Sequence, residues 1–594
     1  MKQLRALFPF LRPYRRHITW GLLLVVVSNA LMLAVPYFVK QGIDSIGRPD
    51  AGTALLVRYA LLTVGVSLLG GAARYGMREI LNGVSRRVEY DLRNAFFSHL
   101  LRLDAAFFGR MPTGEVMSRA TNDIQAVRMV AGPAYMYLAN TAAVGVFAIS
   151  LMVWIDPRLT LVGLAPMLVL PPLTLYFGRV IHERFEQIQE RFGALSARAQ
   201  ENLAGVRIVK AYGQEAEETE RFRKLSREYA DRNIDLARAS GAFYPSLTLF
   251  SGIAMALVLW LGGRDILAGR ITVGDFVAFG LYLAMLTWPM ISLGWVVNLF
   301  QRGAASMGRV AEVLDAEPAI ADPIDPRIPP MARGAIEFRN VSFRYPGTER
   351  EVLRDVSFRI PAGTRLAVVG GTGSGKSTLV HLLTRVYDPT AGEVLVDGVP
   401  LDEWPLERLR ATIGVVPQEP FLFSTTLREN LTWGFRDANL ERSEERIREA
   451  ARIAQLESAI LGFPHGYDTR LGERGINLSG GQKQRATLAR ALARDPVILV
   501  LDDALSAVDT HTEREILAAL DRVLGERTSV TVSHRATAVM GADRILVLED
   551  GRIVESGTHL ELLERSGVYA ALLRRQLLSE DLEAEGELTT AEAG

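Results

Sequence analysis

The sequence predicts a multidomain chain: an all-α polytopic membrane domain of six transmembrane helices with long cytoplasmic extensions, followed by an α/β domain built on a phosphate-binding loop. Three observations predict it. Six apolar runs long enough to cross a bilayer fall before residue 302, a proline-rich stretch follows at 316–334, and beyond it short strand signals alternate with helical ones around a glycine-rich turn at 370–378. A chain of 594 residues is in any case too long for one hydrophobic core. Mean hydropathy is positive although 23% of residues are charged, so apolar and polar material is segregated along the chain. Charge is balanced at 67 basic and 67 acidic residues, and nothing global points to nucleic acid. Cysteine is absent, which excludes disulfides, thiolate metal sites and cysteine nucleophiles.

The apolar runs lie near 18–39, 55–76, 133–155, 159–180, 243–263 and 274–300; about 20 helical residues span the roughly 30 Å of hydrocarbon. The basic start, MKQLRALFPFLRPYRRH, is not closed by a small-residue cleavage pattern and reads as leading into a retained span. Lys2, Arg5, Arg12, Arg15 and Arg16 precede the first run, whereas the short loops at 156–158 and 262–270 carry few positive charges, which predicts a cytoplasmic N-terminus. Segments 77–132 and 181–242 are then cytoplasmic too. Both are rich in Arg, Glu and Gln at helical spacing, so the spans are expected to continue as helical hairpins, with tips near FFGRMPTGEVMSR and AYGQEAEETE.

Beyond the linker, AIEFRNVSFRY alternates like an antiparallel strand, while RLAVVG and VILVLD are continuous apolar runs of the parallel-sheet kind. RLAVVG runs into Gly370, Gly371, Thr372, Gly373, Ser374, Gly375, Lys376, Ser377 and Thr378, which fit G-x-x-x-x-G-K-[ST] and precede a helix. Such a turn exposes backbone N–H groups to phosphate at a helix N-terminus, Lys376 supplies charge to the outer phosphates and Ser377 a hydroxyl for Mg²⁺. VILVL ends at Asp502, placed to hold the same ion. Domain limits are expected at 1–315 for the membrane domain, 316–334 for the linker, 335–575 for the nucleotide-binding domain and 576–594 for a disordered acidic tail.

Between these two motifs stands LSGGQKQRATLARAL, and with it the chain resembles an ABC transporter, specifically a type IV exporter half-transporter, over nearly its whole length. The resemblance implies that Tyr345 stacks on adenine, that Gln418 reaches Mg²⁺ and the attacking water, and that Ser479, Gly480, Gly481 and Gln482 bind the γ-phosphate held by another subunit. It further implies that GERG at 472–475 contacts a membrane-domain tip of the opposing subunit, that SAVD at 506–509 links the two sites of a dimer, and that His534 contacts the γ-phosphate. Cofactors are expected to be ATP and Mg²⁺. The place where the family usually carries a water-polarising glutamate holds Asp503, shorter by one methylene. With the signature intact, this resembles the aspartate-bearing half of bacterial heterodimeric multidrug exporters, which implies an unlike second half-transporter as partner, slow hydrolysis at this chain's own site, and a multi-pass protein of the cytoplasmic membrane. An ATP-gated regulatory or channel-like subunit is the competing reading, and a soluble-type repair ATPase is opposed by six spans. Tyr135, Tyr137, Phe243, Tyr244, Trp288 and Trp295 are candidates to line a cavity for amphipathic cargo.

Overall fold

A computed structural model describes residues 2–46, 53–329, 331–435, 440–525, 527–534 and 539–577; the expected acidic tail lies almost entirely outside them. Among the described residues six helices are long and apolar enough to span a membrane: Gln3–Ile46, Thr53–Leu100, Thr113–Ile155, Pro157–Ala204, Glu215–Leu267 and Val273–Leu314. Each contains one of the predicted runs. The second has 48 residues, about 72 Å at 1.5 Å per residue, so it extends well past the hydrocarbon.

Local chemistry sets the joints. Asp156 separates the third and fourth helices, and its carboxylate caps the fourth by accepting from the N–H groups of Arg158 (2.7 Å) and Leu159 (2.8 Å) ahead of which Pro157 sits. The sixth opens on a reciprocal capping box between Thr272 and Asp275. The fifth continues to Leu267, so most of the predicted 262–270 loop is helical; the first left-handed residue there is Gly269, at φ +68°. Both predicted tips are present. The first carries the short helix Ala105–Arg110 capped by Asp104, and the second carries Val206–Ala211 before Gly213 turns at φ +60°.

Two compact units result. One holds the residues up to Leu101 and Thr113–Ala316; the other holds Arg102–Pro112 and the chain from Glu317 onward. In the first, the sixth helix is the most buried, with Phe279, Tyr282, Leu283 and Leu286 on one face at helical spacing, and the Tyr282 hydroxyl donating to the Leu33 carbonyl at 3.1 Å. The third helix contains π-turns at Arg119–Asp123 and Val130–Ala134. At the second of these Gly132 lies so close to the second helix that a Cβ would come within 2.6 Å of Ser85 Cβ and 2.8 Å of the Leu81 carbonyl oxygen.

In the second unit β1 (Ile336–Arg344) pairs antiparallel with β2 (Glu351–Ile360), in a four-stranded sheet completed by β4 (Ala391–Val396) and β5 (Val399–Pro400). A six-stranded sheet holds β3 (Arg365–Gly370), β6 (Ile413–Val416), β7 (Ile498–Asp502), β8 (Thr528–Val532), β9 (Arg544–Glu549) and β10 (Arg552–Gly557) in the order β10-β9-β3-β8-β7-β6. All its neighbours are parallel except β9 and β10. The expected antiparallel and parallel strands are therefore both found.

Candidate functional site

The strand order builds the site. β3, β8 and β7 are adjacent and parallel, so their C-terminal ends open on one edge, where open α/β sheets bind ligands. β3 delivers the glycine turn, β8 leads to His534, β7 ends at Asp502 and Asp503, and Gln418 follows β6 at the same edge. Gly370 leaves β3 at φ +158°, where a Cβ would lie 2.2 Å from the Leu548 carbonyl oxygen, and Gly375 starts the helix Lys376–Leu383 from φ +105°.

These groups line a cavity of about 800 Å³. Thr372, Gly373, Gly375, Lys376, Ser377 and Thr378 form one wall, with Tyr345, Gln418, Asp502, Asp503 and His534 around it. Gly370, Gly371 and Ser374 support the turn from outside this lining, Ser374 being buried. Lys376 Nζ donates to the carbonyls of Gly370 and Gly371, each at 2.9 Å. Desolvation lowers its pKa, against the pull of Asp503 and Asp502. The Ser377 hydroxyl donates to Asp502 Oδ1 at 3.3 Å. Burial, followed by the opposing Ser377 hydrogen bond and the charge of Asp503, leaves the Asp502 carboxyl above its ordinary value. A buried carboxylate and a hydroxyl beside a phosphate-binding turn suit a divalent cation, whose charge would restore the ionised form. The donor set thus fits Mg²⁺.

Asp503 sits at φ +49°, its N–H bound to the Val532 carbonyl (2.9 Å), and its Oδ2 lies 2.6 Å from His534 Nδ1. Tyr345 packs edge-on against Phe343 (4.9 Å) and Tyr387 (5.3 Å), with its hydroxyl 3.0 Å from Thr378 Oγ1. Ser479, Gly480, Gly481 and Gln482 stand apart from this cavity's lining. Ser479 caps the helix Gly480–Ala493 in a reciprocal box with Gln482. Buried Gln484 donates to Ser506 Oγ (2.9 Å) and accepts from the Ala507 N–H (2.8 Å), joining that helix to the SAVD turn.

Residues 18–290 match the family model for the ABC transporter transmembrane region, and residues 353–506 match that for the ABC transporter. Over 580 residues, 97% of this chain and 98% of the other, it is 36% identical to the probable multidrug resistance ABC transporter ATP-binding/permease protein YheI of Bacillus subtilis. The chain belongs to the ABC transporters. It is 35% identical, over 97% of its length and 96% of the other's, to the multidrug resistance-like ATP-binding protein MdlA of Escherichia coli. It is 34% identical, over 96% of its length and 97% of the other's, to an ATP-dependent lipid A-core flippase of Chromohalobacter salexigens. A solved bacterial Atm1-family ABC exporter with ATP bound superposes with a TM-score of 0.77 at 30% identity, covering 95% of this chain and 99% of that one. This ABC transporter is therefore a multi-pass membrane protein with the type IV exporter fold, and an ATPase coupled to transport.

Several residues that line this ABC transporter's cavity were not identified from sequence. Val352 and Arg354 on β2, with Asp550 and Gly551 from the β9–β10 turn, form its second wall, held together by the Arg354 N–H donating to the Gly551 carbonyl at 2.8 Å. Their signal in the sequence is only position in a strand and a turn, with no motif to mark them.

Proposed function

We propose that this chain is the aspartate-bearing half of a heterodimeric exporter of hydrophobic or amphipathic compounds in the cytoplasmic membrane, and that its partner carries the catalytic glutamate. The observation that carries the reading is the pairing at Asp503. The acid in the place of the water-polarising group is short and is engaged by His534 at 2.6 Å. A misplacement of about 1 Å costs roughly a hundredfold in rate, so water at this site is poorly oriented. The signature, by contrast, is intact and capped, and it lies outside the cavity of its own chain, as serves a site completed by a second subunit.

In this reading ATP enters the cavity of residues 370–378, with Tyr345 against the base and Lys376 on the outer phosphates. Ser377, Asp502 and Gln418 would hold Mg²⁺, which would supply charge neutralisation at the phosphates. Ser479, Gly480 and Gly481 present a hydroxyl and helix-start N–H groups to the partner's γ-phosphate. Closure of two such domains moves the helical tips and reopens the spans outward, and hydrolysis at the partner's glutamate site resets the cycle. The basic N-terminal segment supports a cytoplasmic N-terminus and nucleotide-binding domain. Relatives named for multidrug resistance and lipid A-core flipping support drugs or lipids as cargo, with peptides in the same amphipathic class. The membrane domain is assigned to 1–315, the linker to 316–334, the ATP-binding domain to 335–575 and the tail to 576–594.

The test is ATP turnover of the chain alone and co-expressed with a candidate half-transporter, with Asp503→Ala here and glutamate→Ala in the partner. Turnover abolished by the partner's change but barely altered by Asp503→Ala supports the proposal. Rapid turnover by the chain alone, lost in Asp503→Ala, overturns it.

A further inference from the structure

A cavity of about 590 Å³ lies among the fourth, fifth and sixth long helices, within the roughly 300–1,000 Å³ range of small-ligand pockets. Leu175, Phe243 and Trp295 supply apolar surface, and Arg179, Asn298 and Gln301 supply polar groups. Tyr137 fixes the indole of Trp295 by an edge contact at 4.9 Å. The three helices contribute from the same level: the end of the apolar run 159–180, the start of 243–263 and the end of 274–300. The cavity therefore sits where hydrocarbon gives way to head groups, on the side of the long helical extensions.

Its electrostatics are one-sided. No aspartate or glutamate lines it. The other basic lining group, His182, is 3.3 Å from Glu186, whereas Arg179 has no hydrogen bond or ion pair among the described residues. The Thr174 hydroxyl is buried there without a partner. A guanidinium at a hydrocarbon boundary gains most from a planar anion that it can bind through two N–H groups. A cationic amphiphile would find no acidic group in the lining itself, Glu186 being engaged by His182.

We propose that this cavity binds a single-chain anionic amphiphile, with its carboxylate on Arg179 and its apolar body against Leu175, Phe243 and Trp295. Only the claim that this ligand is cargo rests on the export reading above.

The test uses the full chain in phosphatidylcholine nanodiscs, without ATP, and three probes: dansyl-undecanoate, its neutral methyl ester and a trimethylammonium analogue. Binding is read by energy transfer from tryptophan to dansyl. The carboxylate is expected to bind roughly tenfold more tightly than the ester, Arg179→Gln to erase that difference, and Arg179→Lys to keep most of it. Equal affinity for anion and ester, or an anion affinity unchanged by Arg179→Gln, overturns the proposal. A second arm measures ATP-driven movement in vesicles holding both chains. Arg179-dependent binding without movement leaves the site standing and removes the export reading. Movement of other amphiphiles, with anion binding indifferent to Arg179, does the reverse.

Discussion

Asp502 and Asp503 are neighbours in sequence with opposite surroundings: one is buried against Ser377, the other turns at φ +49° to meet His534. Lengthening the second, Asp503→Glu, should raise turnover at this chain's own site by roughly tenfold to a hundredfold in a stopped single-turnover assay. The first titrates in a characteristic direction. Its raised pKa means that, as pH falls, the folded nucleotide-free chain takes up this proton before the unfolded chain does. The stability from this group is therefore full below the ordinary aspartate value and is lost as pH rises through the raised one. Thermal unfolding across that window should show the slope, Asp502→Asn should remove it, and Mg²⁺ with nucleotide should oppose it. Lys376, Ser377 and Asp502 were legible in the sequence because their chemistry is local to a turn and a strand end. Val352, Arg354 and Asp550 were not, because only the pairing of β9 with β3 and the approach of β2 to Gly551 bring them to the cavity.

Six apolar runs were readable because the bilayer imposes a length and a composition on each helix. What sets helix against helix was not. The π-turn at Val130–Ala134 and the contact of Gly132 with Ser85 and Leu81 leave no periodic trace. Gly132→Ala should therefore destabilise the membrane unit by about 1–3 kcal/mol through overpacking, seen as a lower thermal midpoint in detergent. The fastening of the third helix to the sixth is similarly silent in sequence: Arg119 donates to Glu312 (2.7 Å) and to the Arg309 carbonyl (2.9 Å), and Asp123 takes two bonds from Arg309. In the second unit, Gln484 is the element-level joint. Gln484→Ala should leave this chain's ATP affinity unchanged, measured by nucleotide fluorescence, while lowering turnover at the site its signature serves, because the SAVD turn loses two hydrogen bonds.

At the scale of the molecule, the second helical tip stands without apolar cover. Leu203, Ile208 and Tyr212 are 74%, 66% and 76% exposed, large apolar side chains left open to solvent on one tip. If the proposed pairing places a second half-transporter against this tip, Ile208→Glu should reduce co-purification of the two chains and uncouple substrate-stimulated turnover, with nucleotide affinity of the single chain intact. The first tip differs. Its capping residue Asp104 accepts from Phe107 N–H at 3.0 Å with one oxygen and from Ala319 N–H at 2.6 Å with the other, and Arg102–Pro112 belongs to the same compact unit as the chain from Glu317 onward. That unit is thus assembled from two pieces that leave the ribosome far apart in time. At about 5–20 residues per second the tip is made tens of seconds before the last strands of its unit. During that interval the spans are inserted while the tip waits unfilled, so an arrest between residues 316 and 577 should leave residues 102–112 open to protease, and their protection should date the moment at which the soluble domain completes.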